Sequence, residues 1–125
     1  MKSTLYGIGV GPGDKELLTV KAVRAIENSD VVVAPSAMEG GESIALETAK
    51  EYIKEGTEVV IKHFPMGKKN RIEKAKEAYD FIEEKLKEGK NVSFLTIGDP
   101  YVYSTYIHML KHMEERGFHV KQYQE

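Results

Sequence analysis

The hydrophobic and polar positions of this chain follow one pattern, which occurs four times. An apolar run rich in β-branched residues is followed by a loop with Gly, Pro or Ser, then by a stretch of helical spacing, and then by a helix stop. Strands are predicted from Leu5 onward and at residues 30–34, 58–63, 92–97 and 119–123. Because parallel strands need crossover connections, this order predicts an α/β fold, with an open, mainly parallel sheet of about five strands flanked by helices.

Capping residues and glycine stops define the predicted helices. The predicted caps are Thr19, with Asp14 as an earlier alternative, Ser43 and Asn70, and the fourth helix is predicted to begin near Ser104. The predicted stops are Asn28 with Ser29, Gly56, Gly89 and Gly117. Apolar residues at helical spacing predict the buried faces, which are Val20, Val23 and Ile26; Ala45, Ala49, Tyr52 and Ile53; Ile72, Ala75, Tyr79, Ile82 and Leu86; and Tyr106, Ile107, Leu110 and Met113.

Composition narrows the possible functions. The 125 residues suffice for one domain, and the lack of cysteine excludes disulfides, thiolate metal sites and a cysteine nucleophile. The formal net charge of -2 lacks the basic excess typical of nucleic-acid binding, and no apolar run has the length of a membrane span. His108 and His112 have the i, i+4 spacing of a zinc pair, but without an HExxH motif they are predicted to face solvent. We expect a cytoplasmic protein without a metal, nucleic-acid or membrane partner.

Four glycines stand at alternate positions around the end of the first strand. They are Gly7, Gly9, Gly11 and Gly13, and Pro12 stiffens the segment between them. Without a Cβ at these positions, backbone N–H groups can approach a ligand closely. The pattern matches neither the GxGxxG dinucleotide fingerprint nor the GxxxxGK[ST] phosphate loop. A tight strand-to-helix turn is the alternative, but four alternating glycines favour contact with a ligand.

Other unusual residues also follow predicted strands, where ligands bind in parallel α/β sheets. Asp99 can accept hydrogen bonds from a ribose or an ammonium group, or it can cap the following turn. The basic cluster of Lys68, Lys69 and Arg71 can pair with substrate carboxylates, or it can form an exposed polar loop. No nucleophile–base pair or paired carboxylates stand out, so the site is predicted to position molecules. Methyl transfer from S-adenosylmethionine fits that chemistry.

Two motifs resemble those of the tetrapyrrole methylase family. The first is YGIGVGPGD at residues 6–14 with LLT at 17–19, and the second is LTIGDP at residues 95–100. Further segments resemble the branch that methylates C-20 of precorrin-2 or cobalt-precorrin-2, namely FPM at 64–66, GES at 41–43 and YSTY at 103–106. The resemblance covers the whole chain, whereas proteins of the family are nearly twice as long. It implies that residues 1–125 are the first of two domains.

The resemblance also implies a cofactor site between the two domains. The residues that match the S-adenosylmethionine contacts of the family are Pro12, Ile97, Gly98, Asp99 and Val102. The charge of the basic cluster predicts that Lys68 and Arg71 contact the carboxylates of a tetrapyrrole substrate. Siroheme-type relatives carry an aspartate just after the second strand, where this chain has Pro35 and Ser36, so no catalytic base is assigned.

The implied function is methyl transfer to C-20 of precorrin-2 or its cobalt form, on the route to cobalamin, by a homodimeric complete protein. The chain by itself is predicted to be inactive. The alternatives within the family are another tetrapyrrole methylase, such as the C(11) enzyme, and a diphthine synthase-like enzyme. The alternative of a different class is a non-catalytic nucleotide-binding or assembly module.

Overall fold

The computed structural model describes residues 3–9, 19–36, 44–63, 68–96 and 100–123. Within these ranges, strands and helices alternate along the chain as β1 (Thr4–Gly9), α1 (Val20–Glu27), β2 (Val31–Ser36), α2 (Ile44–Ala49), β3 (Glu58–His63), α3 (Lys68–Lys87), β4 (Val92–Thr96), α4 (Pro100–Glu115) and β5 (His119–Tyr123). A short 3-10 turn at Lys50–Tyr52 follows α2. The predicted α/β fold is confirmed.

The five strands form one parallel sheet in the order β3-β2-β4-β1-β5. Helices α1 and α2 pack on one face of the sheet, and α3 and α4 pack on the other. The two connections that run toward β3 carry α1 and α2, whereas the two that run toward β5 carry α3 and α4. All four crossovers therefore have the same hand, as expected for βαβ units.

Alternating strand residues supply two cores, one on each face. Val31 and Val33 lie in the core under α3 and α4, whereas Val32 and Ala34 lie in the core under α1 and α2. Phe94, fully buried on the α3 and α4 face, is one of the largest buried side chains. Its register partner is Gly7 of β1, which has no side chain to compete for this space. Burial on both faces explains why the run at 31–34 is continuously apolar.

The amino-terminal edge of the sheet is closed by hydrogen bonds within the protein. The side-chain oxygen Oδ1 of Asn91 accepts a hydrogen bond from the Thr4 N–H at 3.0 Å. The Asn91 N–H donates to Oδ2 of Asp30 at 2.9 Å, and the Asn91 carbonyl accepts from the N–H groups of Asp30 and Val31. These bonds join the starts of β1, β2 and β4, the three inner strands.

Several predicted helix ends are confirmed. The Thr19 side chain accepts a hydrogen bond from the Ala22 N–H at 3.1 Å and caps α1. Gly89 and Gly117 have the left-handed backbone of a glycine stop, with φ of 83° and 89°. Gly56 also has a positive φ, 93°, but it lies in a turn beyond the 3-10 helix that ends at Tyr52, so it does not stop α2. In α3 and α4 these stops follow the last helical turn directly, and their N–H groups bond back to carbonyls of that turn.

Two predicted helix starts are wrong. Helix α3 begins at Lys68, so Asn70 lies inside the first turn and is not the cap. Helix α4 begins at Pro100 and not near Ser104, because proline fits the first helical position, where its missing N–H costs no hydrogen bond. The predicted cap Ser43 lies outside the described residues. The α-helical part of α2 ends at Ala49, and Tyr52 belongs to the 3-10 turn.

The predicted buried faces are partly corrected. Val20 is 66% exposed, because the inward face of α1 consists of Ala22, Ala25 and Ile26. Ala78 of α3 and Met109 of α4 are buried although the sequence did not single them out. Buried residues that confirm the prediction are Ile26, Ala49, Ile82, Leu86, Leu110 and Met113. Strand β2 continues two residues past the predicted end, through Pro35 to Ser36.

Candidate functional site

The helical connections that leave the carboxyl ends of the strands change face at β4. The central strand β4 has β2 and β1 as its neighbours. Helix α4, which follows β4, packs on one face of the sheet, whereas α1 and α2, which follow the two neighbours, pack on the other. Connections that leave adjacent strands toward opposite faces open a crevice at the carboxyl ends, which is where such sheets bind ligands. The candidate site therefore lies beyond the end of β4.

The ends of β1 and β4 meet at this crevice. Gly9, the last residue of β1, is the register partner of Thr96, the last residue of β4. In the sequence, the rest of the glycine-rich motif follows Gly9, and the Gly-Asp-Pro motif follows Thr96 after one residue. The two motifs that the sequence singled out, which are more than 80 residues apart in the chain, thus leave the sheet from adjacent strands.

Thr96 carries an unusual hydroxyl at this edge. The residue is 3% exposed, and its Oγ1 is buried without a hydrogen-bond partner. No other buried side-chain nitrogen or oxygen of the described residues is in that situation. Ser93, three residues earlier on the same strand, is fully buried too, but its hydroxyl is hydrogen-bonded to that of Ser29. A polar group that is buried and unpaired is destabilising, so the presence of the Thr96 hydroxyl at this position requires an explanation.

The predicted cofactor residues lie close to Gly9 and Thr96 in the sequence. Pro12, Ile97, Gly98 and Asp99 lie outside the described residues. Val102 lies in the first turn of α4, which begins three residues after Ile97 in the sequence. Thr96 and the start of α4 therefore bracket three of the five predicted contacts.

The basic cluster is placed differently from the prediction. Lys68 and Arg71 lie in the first turn of α3 and not in a loop. That turn contains no acidic residue, so its cations stand at the end of the helix where the backbone dipole is already positive. Strand β3, which precedes α3, lies two strands from β4, or about 10 Å at the usual strand spacing. The start of α3, which we call the cationic end because its first turn contains Lys68 and Arg71, thus lies two strands from the end of β4.

The predicted histidine pair is only partly exposed. His108 is exposed, whereas His112 is partly buried and stacks on Tyr79 of α3, with ring centroids 5.3 Å apart. Burial raises the pKa of the Tyr79 hydroxyl. This stack therefore joins α3 to α4 as a packing contact. Across the described ranges, no three His, Asp or Glu side chains are grouped as metal ligands, and no helix has the length and apolar character needed to cross a membrane.

A second polar cluster holds α3 against the edge strand β3. The hydrogen bond to Glu58, at 3.2 Å, raises the pKa of Lys85. The Lys62 and Lys85 ammonium groups lie 4.8 Å and 5.4 Å from the centroid of the Phe81 ring. Cations at this distance from an aromatic ring are attracted to its face. Both described pKa shifts thus reflect packing of α3, away from the crevice.

Sequence reasoning missed Thr96 as a site residue. Its signal was present, since Ser93 and Thr96 are polar residues in the otherwise apolar strand VSFLT. A polar residue in a buried strand has to find a partner. The sequence could not tell that Ser29 would supply a partner for Ser93 while Thr96 would have none among the residues around it.

Comparison with known proteins identifies the relatives of this chain. The family model for tetrapyrrole (corrin/porphyrin) methylases matches residues 4–122. A probable cobalt-precorrin-2 C(20)-methyltransferase of Methanocaldococcus jannaschii is 42% identical over 94% of this chain and 50% of its own length. The cobalt-precorrin-2 C(20)-methyltransferase of Salmonella typhimurium is 36% identical over 89% of this chain and 48% of its own length. The chain thus spans about half the length of these relatives.

A solved structure supports the fold independently of the sequence. The uroporphyrin-III-C-methyltransferase from Thermus thermophilus superimposes with a TM-score of 0.72 and 22% identity. The match covers 99% of this chain and 48% of that one. At this level of identity the likeness concerns the fold alone.

Proposed function

Because the chain belongs to the tetrapyrrole methylase family, we propose that it is the first of two domains of an S-adenosylmethionine-dependent methyltransferase. The proposed reaction is methylation of C-20 of precorrin-2 or cobalt-precorrin-2 in cobalamin biosynthesis. The names of the two relatives that are 42% and 36% identical support this substrate. The observation that carries the proposal is the pairing of Gly9 with Thr96, because the glycine-rich motif and the Gly-Asp-Pro motif follow these two residues in the sequence.

The methyl donor is proposed to bind beside this pair of residues. Pro12, Ile97, Gly98, Asp99 and Val102 are its proposed contacts, on the pattern of the family. The absence of a side chain on one strand end and the unpaired hydroxyl on the other fit a ligand that brings both polar groups and close backbone contacts. Bound donor supplies an activated methyl group on sulfur. The protein's part is to hold that methyl in line with the substrate carbon and to exclude water.

The substrate is proposed to extend from Gly9 and Thr96 toward the start of α3. A tetrapyrrole of this class carries several carboxylates around a wide ring. Lys68 and Arg71, in a helical first turn without an acidic residue, are proposed to pair with some of them. The two-strand separation between β3 and β4, about 10 Å, suits a substrate that is bound by its periphery at one place and methylated at another.

The electron-rich C-20 carbon is itself the proposed nucleophile. The new carbon–carbon bond forms as the carbon–sulfur bond of the donor breaks, and the electron pair of the broken bond stays on sulfur in S-adenosylhomocysteine. The hydrogen that the methyl group replaces on C-20 leaves as a proton to water. No catalytic base is assigned to this chain. The complete protein is proposed to be a cytoplasmic homodimer that acts on a small molecule, without a nucleic-acid or membrane partner.

The test is the position of the transferred methyl. The complete protein is incubated with S-adenosylmethionine labelled with ¹³C in its methyl group and with precorrin-2 or cobalt-precorrin-2, and the product is examined by NMR. We expect the label on C-20. Label on another carbon would assign a different tetrapyrrole methylase, and label on a protein histidine would assign a diphthine synthase-like enzyme. Cofactor binding without transfer to any of these acceptors would favour the non-catalytic module.

A further inference from the structure

The Thr96 hydroxyl lies where the protein does not satisfy it. Side chains alternate along β4, so Thr96 shares the face of Val92 and Phe94, which is covered by α3 and α4. The residue is 97% shielded from solvent, and its Oγ1 has no partner. A threonine hydroxyl is both a donor and an acceptor, so two kinds of hydrogen bond are lost at this position.

The neighbouring strand has no side chain beside this hydroxyl. Register partners in parallel strands point their side chains to the same face, and the partner of Thr96 is Gly9, which has none. The same relation holds two residues earlier, where Gly7 faces Phe94 and the aromatic ring uses the space. The residue opposite Gly9 is Thr96, whose side chain is much smaller than that of Phe94. The combination of missing side chain and unpaired hydroxyl occurs at the last residues of both strands, at the candidate site.

The contrast with Ser93 shows that this strand does pair its polar groups elsewhere. The Ser93 hydroxyl is bonded to Ser29, whose own hydroxyl donates to the Ala25 carbonyl at 2.7 Å. These hydrogen bonds connect the first half of β4 to α1 and to the residue that follows its cap, on the sheet face where α1 packs. Nothing comparable satisfies Thr96, so its partner is expected to come from outside the described protein groups.

We infer that the Thr96 hydroxyl hydrogen-bonds a polar group of bound S-adenosylmethionine and is a cofactor-binding residue of this site. The inference rests on the proposed function, because it takes its ligand from there. Thr96 immediately precedes the proposed contacts Ile97, Gly98 and Asp99 in the sequence, so a ligand of those residues is the proposed partner of its hydroxyl. Such a bond satisfies the hydroxyl only when ligand is bound. The unliganded protein therefore carries the cost of the unpaired group, and the ligand removes it.

The experiment compares Thr96→Val with Thr96→Ser in the complete protein. Valine keeps the shape and removes the hydroxyl, whereas serine keeps the hydroxyl. Titration calorimetry with S-adenosylhomocysteine should show about tenfold weaker binding for Thr96→Val and a change within about twofold for Thr96→Ser, on the scale of one lost hydrogen bond. Without ligand, the melting temperature of Thr96→Val should equal or exceed that of the wild type, because the unpaired group is gone.

Ser93→Ala is the matched control. It removes a buried hydroxyl of the same strand that already has a partner, so it should lower the melting temperature and leave S-adenosylhomocysteine affinity unchanged. The inference is overturned if Thr96→Val behaves like Ser93→Ala, since the hydroxyl would then be structural. It is also overturned if Thr96→Val binds the ligand as tightly as the wild type.

The proposed function can fail separately. If the wild-type protein binds S-adenosylhomocysteine but methylates no tetrapyrrole, the substrate is wrong, and the affinities of the Thr96 variants still decide the inference. If the wild-type protein binds no S-adenosylhomocysteine, both the cofactor assignment and the inference are wrong.

Discussion

Polar groups are hydrogen-bonded at the amino-terminal edge of the sheet, where the strands begin, whereas one is left unpaired at the carboxyl-terminal edge, where the strands end. At the amino-terminal edge, Asn91 uses its backbone and side chain to join the starts of three strands, and Asp30 completes the set. At the carboxyl-terminal edge, the central strand ends in a buried hydroxyl without a partner, beside a glycine. An edge that is saturated by the protein stabilises the fold, whereas an edge that is left unsatisfied is available to a ligand. The comparison therefore separates residues that hold this domain together from residues that bind.

The largest expected effect concerns the carboxyl-terminal edge when the rest of the proposed protein is missing. We expect the 125-residue chain to fold, because the three inner strands β1, β2 and β4 are buried on both faces and their amino-terminal ends are joined by hydrogen bonds within the chain. It should bind S-adenosylhomocysteine weakly, since one wall of the proposed cleft is absent and the ligand stays largely in water. Loss of about half the contacts of a micromolar ligand removes roughly 4 kcal/mol and gives a dissociation constant near millimolar.

Calorimetry and light scattering of the chain and of the complete protein measure this difference. The uncovered wall should also promote self-association of the short chain. Micromolar binding by a monodisperse short chain would show that one domain suffices, and it would favour the self-contained binding module over a half-site.

The second effect tests the saturated edge. Asn91→Ala should lower the free energy of unfolding by about 2 to 3 kcal/mol, because it leaves the Thr4 N–H, in a residue only 8% exposed, without its acceptor. Urea unfolding measures the change. Gln122→Ala, which removes an exposed amide from the edge strand β5, is the matched control and should be nearly silent. Equal losses in both variants would mean that the Asn91 network adds nothing particular to stability.

These two edges also show what the sequence could and could not predict. The sheet, the helix count and the glycine stops follow from local rules, because apolar periodicity and a left-handed glycine need only neighbours in sequence. The strand order depends on long-range pairing, and no local signal identified β4 as the central strand. The exposure of Val59 and Ile61 also depends on strand order. Because β3 is an edge strand, these two apolar residues are 41% and 44% exposed.

The site was predictable to a similar degree. The motifs indicated which strand ends to consider, and the topology brought two of them together at Gly9 and Thr96. The basic cluster was identified by charge, but its placement in a helix and not a loop depended on where α3 begins. The Thr96 hydroxyl could not be predicted, because a missing hydrogen bond is a property of the folded surroundings and not of the residue.

The third effect separates binding from capping at Asp99. This carboxylate immediately precedes α4, which begins at Pro100, so the capping role has a helix to act on. We expect Asp99→Ala in the complete protein to weaken S-adenosylmethionine binding by about 1 to 2 kcal/mol, the scale of one hydrogen bond to a charged acceptor. Calorimetry and thermal unfolding are measured on the same samples. An unchanged affinity with a lower melting temperature would assign Asp99 to the cap, and Asp99→Asn should then restore much of the stability.

The smallest effect concerns the start of α3, the cationic end that lies apart from the crevice. Lys68→Ala combined with Arg71→Ala should raise the Michaelis constant for the tetrapyrrole about threefold at low salt and leave the affinity for S-adenosylhomocysteine unchanged. The physical reason is that exposed charges attract an anionic substrate modestly, and salt screens that attraction. The difference from the wild type should therefore shrink as salt is raised. Lys76→Ala combined with Lys87→Ala removes the same charge from exposed positions of the same helix and is the matched control.

If both double variants raise the Michaelis constant equally, net charge is responsible and the first turn of α3 has no particular role. If only the first pair acts, the substrate extends from the β4 crevice to the start of α3, and the two binding functions occupy different strand ends of one sheet edge.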